Sequence, residues 1–382
     1  MSEIKENKEP LNKNNKVPKL RFDSTVWEEK RIGNLLKMCN GKDQKAIENS
    51  NGKYNIYGTG GIIGKTDYYL YDKESIGIGR KGTIDKPFYF DKPFWTVDTL
   101  FWSKIQNGYF PKFIYYLFQT IDWKKLNQST GVPSLTSHVI EHQKIYVPDY
   151  NYQVKLSKMF DVVESKILAI ESKINILKKY KKGLAKEAIK ETINYWKFGI
   201  GKALDLSNYL VEINEYSEKD GTFPHITLST EGISDKSDRY DRDFLVKDDN
   251  KKYKITRLNQ LCYNPANLKF GVICINRYGD GIFSPIYVTF RIKNIELDYL
   301  ELIITSNDFN NYSMKYQQGT VYERMAVSPE DLCKIKLVVN DDHKQKNIAY
   351  AASILNEKIS KLECELNNLK IIKTNLLNNM FI

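Results

Sequence analysis

Two segments of the chain carry apolar residues at alternating steps of three and four. In KILAIESKINILKKYKKGL, residues 166–184, and the residues leading into it, the series is Phe160, Val163, Ile167, Ile170, Ile174, Leu177, Lys181 and Leu184. In KISKLECELNNLKIIKTNL, residues 358–376, it is Ala352, Leu355, Ile359, Leu362, Leu366, Leu369, Lys373 and Leu376. This spacing is a heptad seam and predicts two long helices, each of roughly 35 residues and about 50 Å. A narrow seam on a long helix needs a matching partner, and each copy is the natural partner of the other. Both seams are interrupted by a lysine at the same point, 181 and 373, and polar seam residues set register.

The echo extends beyond the helices. A shift of 192 residues lays Lys144–Leu184 over Lys336–Leu376 without a gap, with 12 of 41 positions identical. A period this long is no solenoid repeat and marks a duplicated domain-plus-helix unit. Between the helices the pattern changes to short strand-like runs. In the first half these are IYGT, YYLY, SIGIG, KPFYF and FWTVDTLFW, separated by Gly, Asp-Lys and Lys-Gly turns. A helix is expected near 110–120, with Pro111 suited to its first turn, and the strand QKIYVP closes the unit. The second half repeats the plan with FPHITL, YKITRL, FGVICINRYG and SPIYVTFRI, a helix near 297–305 and the strand CKIKLVV. The expected class is α+β, in the order domain, helix, domain, helix.

Charge adds a hint about partners. Lys+Arg 58 against Asp+Glu 47 leaves +11, which favours a polyanionic partner. A Lys- and Asn-rich composition drawn from an AT-rich genome has the same signature. Tyrosine is abundant at 26 residues and offers a flat face and a hydroxyl to sugars, bases or proteins. The five cysteines form no CxxC pair or metal spacing, and read as reduced thiols of a cytosolic protein. The polar start MSEIKENKEPLNKNNK has no apolar signal region, and no run of eighteen apolar residues exists. A cytoplasmic protein with no membrane partner is expected.

Several catalytic signatures fail on inspection. GTGGIIGKT (58–66) lacks the first glycine of a phosphate loop, because Thr59 stands there. GIGRKG (77–82) satisfies a dinucleotide pattern, but TIDKPFYF follows where a helix should open. HVIEH (138–142) matches a zinc-protease pattern with little room for a metal-bearing helix and no third histidine nearby. An adenine-methylation motif is absent, since Asn264 is followed by PAN. No Ser/His/Asp set or paired carboxylates stand out, and no catalytic residue is assigned.

Motifs along nearly the whole chain resemble a type I restriction-modification DNA specificity subunit. VPKLRF (17–22) and WEEKRIGNL (27–35) resemble the start of that family's first target recognition domain, and SIGIGRKGTIDKPFYFDKPFWTVDTLFW (75–102) resembles its body. GVPSLTSHVIEHQKIYVPDYNYQ (131–153) resembles the exit into the first helix. ITLSTEGI (226–233), LCYNP (261–265) and GIFSPIYVTF (281–290) resemble a different subclass of recognition domain. The second exit departs from the first with Asn340 in place of Pro148, and NYWKFGIGKAL (194–204) is an abbreviated second start.

The resemblance implies two mixed α/β target recognition domains joined by two long antiparallel coiled-coil helices, an internal pseudo-two-fold repeat. Residues 1–22 would be a flexible tail, 23–150 the first recognition domain and 151–192 the first helix. Residues 193–342 would be the second domain and 343–382 the second helix. It further implies a non-catalytic subunit in which each domain reads one half of an asymmetric, bipartite target in double-stranded DNA. Two adenine methyltransferase (modification) subunits would dock on the helices, bringing S-adenosylmethionine. Restriction/translocase subunits would bring ATP and Mg2+, and this chain itself would bind no cofactor and no metal. A coiled-coil interaction scaffold with protein- or carbohydrate-binding modules is the alternative, and it predicts no salt-dependent DNA binding.

Base edges are read by Arg, Lys, Asn, Gln, Ser and Thr on loops that reach a groove. The candidates in the first domain are Tyr57, Thr59, Lys65, Arg80, Lys81 and Ser134. In the second they are Arg239, Arg242, Arg277, Tyr278, Tyr322 and Arg324. Arg80-Lys81 reads equally as an ordinary charged turn, and SDRYDRD (237–243) as a self-neutralising loop. The lysine face of the first helix is either a solvated face, a dock for an acidic subunit surface, or a contact for phosphates between the half-sites.

Overall fold

A computed structural model describes residues 17–218, 221–236, 252–319 and 325–382. The chain divides into two compact units, Met1–Glu171 with Cys364–Ile382, and Ser172–Glu363.

In the first unit β1 (Glu28–Arg31) pairs antiparallel with β9 (Lys144–Val147), so the two ends of the segment between them are stitched together. The short helix α1 (Ile32–Leu35) leads into an antiparallel sheet. Its order is β2 (Leu36–Cys39), β8 (Leu100–Ile105), β5 (Ser75–Gly79), β6 (Phe88–Phe90). A second sheet has the order β4 (Gly61–Thr66), β3 (Tyr54–Gly58), β7 (Phe94–Thr96), with β3 and β7 parallel. Helix α2 (Pro111–Thr120) begins at its proline and buries Phe113, Ile114, Leu117 and Phe118, and α3 (Ser137–Glu141) is capped by Thr136. This core also takes Tyr152, Leu156 and Phe160 from the start of α4 (Tyr150–Phe198), and Leu377, Met380 and Phe381 at the end of α8 (Asp342–Met380).

The second unit repeats the frame. β10 (Leu204–Asp205) pairs with β20 (Lys336–Leu337). The four-stranded sheet runs β11 (Leu210–Ile213), β19 (Val288–Ile292), β16 (Leu261–Tyr263), β17 (Ile273–Ile275), the same succession of outer and inner strands as in the first unit. The remaining strands differ. β12 (Tyr216–Ser217), β15 (Tyr253–Thr256) and β18 (Gly281–Phe283) form an antiparallel sheet, and β13 (Ile226–Ser229) and β14 (Gly232–Asp235) form a hairpin. Helices α5 (Leu297–Ile304), α6 (Asn307–Ser313) and α7 (Pro329–Cys333) follow. Ala188 and Ile189 of α4 and Ile348, Ala349 and Ala352 of α8 enter this core.

The seams behave as the heptads predict, since every seam position from Phe160 to Leu184 and from Ala352 to Leu376 is buried or half-buried. The first helix is longer than the expected 151–192, at 49 residues, because its ends serve as core elements of the two units, whereas the second, at 39 residues, keeps close to 343–382. Several repeat identities acquire a physical reason. Glu171 pairs with Lys370 at 2.7 Å in the first unit, and Glu363 with Lys178 at 2.7 Å in the second. These are one reciprocal contact of antiparallel helices, written twice. Asp149 and Asp341 each accept a backbone N–H three residues on, from Tyr152 and Lys344, and so cap the two helices. The buried Gln153 accepts from Phe110 N–H and donates to Pro148 C=O. Gln345 does the same with Glu296 N–H and Asn340 C=O. The carbonyl of residue 148 or 340 plays the same part in both, while Asn340 also donates its backbone N–H and side-chain amide to Tyr299 Oη, contacts that Pro148 does not make.

One expectation is corrected. Tyr68–Tyr71 forms no strand, because only a single bridge from Tyr71 to Phe94 and one Leu70 N–H bond tie it to β7. Ahead of β1, Leu20 N–H bonds to Asn379 C=O, and the Phe22 ring lies 5.4 Å from that of Tyr152, tilted by 53°. Residues 1–16 lie outside the described residues.

Candidate nucleic-acid interface

The first unit gathers four of its six candidates on one rim. The β3–β4 hairpin presents Thr59 at its tip, next to the turn that follows β5. In that turn Arg80 N–H and Lys81 N–H both donate to Thr99 C=O, at 2.7 and 3.2 Å. The loop carrying Ser134 closes over it. Leu135 N–H donates to Arg80 C=O, Gly82 N–H donates to Pro133 C=O, and Lys81 bridges Ser134. Asn127 Oδ1 holds this loop by accepting Ser129 and Ser134 N–H. The glycines of GIGRKG serve this geometry. A Cβ at Gly79 would sit 2.0 Å from Thr83 O, and Gly82 has φ +93° with Thr59 Oγ1 beside it.

The electrostatics suit a polyanion at this rim. Arg80 Nη1 reaches only the Asp98 carbonyl, at 3.4 Å, and among the described residues no carboxylate pairs with Arg80 or Lys81. Tyr57 is placed differently, for its ring packs at 4.9 Å from Phe90 and is committed to the aromatic cluster. Lys65 lies at the far end of the hairpin, opposite Asn55. Sequence reasoning missed Ile62 and Ile63, which are 59% and 52% exposed beside the tip. The signal was present as two β-branched residues between glycines in GTGGIIGKT.

The second unit is less assembled. Arg277 is held by Asp298 at 2.6 Å and Glu301 at 3.2 Å, with Asn259 on its other nitrogen. Its charge is therefore satisfied within the protein. Tyr278 is exposed, with its hydroxyl 3.5 Å from Asp235. Arg239, Arg242, Tyr322 and Arg324 lie outside the described residues. Sequence reasoning also passed over Lys254, which is buried in β15 with its ammonium bonded to Asn214 Oδ1, so that burial lowers its pKa.

The zinc-like stretch His138–His142 has a structural use. Glu141 accepts Met38 N–H at 2.7 Å, and the two imidazoles stack at 3.8 Å. Among the described residues no group of three His, Cys, Asp or Glu is arranged to hold a metal ion, and no helix is long and apolar enough to cross a membrane.

The two seam lysines are not equivalent. Lys373 pairs with Glu164, and its ammonium faces the Tyr116 ring at 6.0 Å. Lys181 has no carboxylate partner among the described residues, and the position corresponding to Glu164 is Asn356. Lys373→Leu is therefore expected to destabilise the first unit by about 1–3 kcal/mol, because Glu164 is left half-buried and unpaired. Lys181→Leu should cost nothing measurable. Urea unfolding of the two variants checks this, and equal effects would show that the lysines act alike.

The two units share one four-stranded frame and differ in their second sheets, so the fold is a duplicated α+β unit. Residues 25–179 match the family model of the type I restriction modification DNA specificity domain. Among solved structures, the type I restriction-modification system S subunit from M. genitalium aligns at TM-score 0.68 and 17% identity, over 96% of this chain and 99% of that one. A structure described as the basis of complex assembly and conformational transition of the type I R-M system aligns at 0.45 and 9%, over 94% and 98%. The HsdS subunit from Thermoanaerobacter tengcongensis aligns at 0.34 and 11%, over 93% and 96%. Comparison with curated proteins returns no match. Over residues 25–179 the chain is similar to the type I restriction modification DNA specificity domain, and its fold is that of the M. genitalium S subunit, as the sequence motifs imply.

Proposed function

We propose that this chain is the sequence-reading subunit of a type I restriction-modification complex. Each unit reads one half of an asymmetric, bipartite DNA target, and the helix pair sets the gap between halves. The observation that carries this is the duplication itself, one β-frame used twice with different second sheets and loops. Two readers of one design and different surfaces suit two different half-sites. In the first unit the reading rim is Thr59, Arg80, Lys81 and Ser134, and Ile62 and Ile63 offer apolar contact for a thymine methyl group.

Catalysis belongs to partners. Two adenine-N6 methylation subunits dock on the helices and supply S-adenosylmethionine, with the target base flipped from the stack. Restriction subunits supply ATP- and Mg2+-dependent cleavage. Exposed apolar residues along α4, such as Leu168 and Ile176, suit such docking.

The test uses the complex with its methylation subunits and the variant Arg80→Gln/Lys81→Gln. Loss of base contacts worth about 1–3 kcal/mol each should weaken binding at least tenfold and relax or abolish the first half-site only. Unchanged binding and methylation would remove this rim from the account. A wild-type complex with no salt-dependent DNA binding would favour the interaction-scaffold alternative.

A further inference from the structure

The second unit contains a cleft of about 1110 Å³ bounded by α4, α8, the β13–β14 turn and the α5–α6 junction. We propose that it binds the DNA backbone as a sequence-independent phosphodiester site, an inference that rests on the DNA-reading function above.

Its floor of charge comes from α4. Residues 172–186 hold six lysines and no acidic residue, whereas the corresponding 364–378 hold Lys370, Lys373 and Glu365. Helix pairing therefore does not require the additional lysines, which stand where the other copy has glutamate, isoleucine, threonine and asparagine. Within the cleft Lys178 is neutralised by Glu363 and Arg277 by Glu301. Lys181, Lys182 and Lys186 remain, and among the described residues no carboxylate lies within ion-pair reach of any of them. Glu231 and Asp308 also line the cleft, and the three unpaired lysines against these two carboxylates leave a net positive charge. Asn356, in place of the glutamate that satisfies Lys373, leaves Lys181 available and adds an amide donor; Thr230 adds a hydroxyl.

The lining favours phosphate over a protein partner. Its apolar side chains are Ala185, Leu302 and Ile359, with no aromatic residue to anchor a protein. Lysines on flexible stems are strongly hydrated point charges, suited to phosphate contacts that carry no sequence information.

The test measures duplex binding against salt for the complex carrying methylation subunits and the triple variant Lys181→Gln/Lys182→Gln/Lys186→Gln. Two duplexes serve as probes, one with the methylated motif and one without it. At about 0.9 per lost phosphate contact, the slope of log K against log salt should shrink by about 2.7 on both duplexes. The methylated motif should be unchanged, and the triple Lys→Arg variant should keep the wild-type slope. An unaltered slope in a variant that still assembles and binds DNA overturns the proposal, as does loss of methylation-subunit assembly with DNA binding intact, which would mark an acidic protein contact. Failure of the wild-type complex to bind DNA would instead defeat the function on which the proposal rests.

Discussion

Phe381→Ala is expected to destabilise the first unit by about 3–5 kcal/mol, although it lies far along the sequence from that unit's strands. Phe381 is 6% exposed, and its ring meets Trp27 at 6.2 Å, Phe113 at 5.5 Å and Phe160 at 5.9 Å. Truncation removes the side chain and leaves a cavity among rings that cannot collapse freely. The second unit should be spared, since Ile189 fills the corresponding position there. Four of the five tryptophans, 27, 95, 102 and 123, belong to the first unit, so fluorescence reports mainly on it. Urea unfolding should show the fluorescence transition moved to lower denaturant, while a probe on the second unit stays put. A variant with an unshifted fluorescence transition would mean that the end of α8 contributes nothing to that core.

Exchange of the first recognition segment for that of a relative is expected to change one half of the DNA target completely and leave the other untouched. The β1–β9 ladder sets the junctions within the 23–150 segment, because Glu28 pairs with Val147 and Lys30 with Ile145. A graft of residues 28–147 carries both strands of the ladder, whereas a cut at 30 divides it. The grafted core must still accept Trp27, Tyr152, Phe160 and Phe381 from the recipient. Relatives with aromatic or large aliphatic residues at the positions of Phe113 and Tyr116 are the suitable donors. If both half-sites changed together, the two units would not be independent readers.

Much of this organisation was legible because it repeats. The heptads fixed both helices and their seam, and the 192-residue shift located the duplicated frame. Identities at 171, 178, 363 and 370 became intelligible only in three dimensions, as one ion pair used twice. Helix length was underestimated, because residues 150–160 and 185–198 follow the apolar pattern of a domain core and not that of a seam. Tyr68–Tyr71 misled by composition, since tyrosines that pack on Trp102 and Tyr54 resemble a strand in sequence. Convergence of Thr59 with Arg80, Lys81 and Ser134 depends on carbonyl contacts at Thr99 and Pro133, which no local pattern reveals. Arg277 shows the converse, a loop arginine whose partners Asp298 and Glu301 come from the following helix.

The most direct test of the central claim is a genome-wide map of N6-methyladenine in cells carrying this chain with its methylation subunits. A single asymmetric motif of two specified halves separated by a fixed unspecified gap is expected, absent from cells that lack the chain. Active methylation subunits with no such motif, or with a continuous or palindromic one, would contradict the claim.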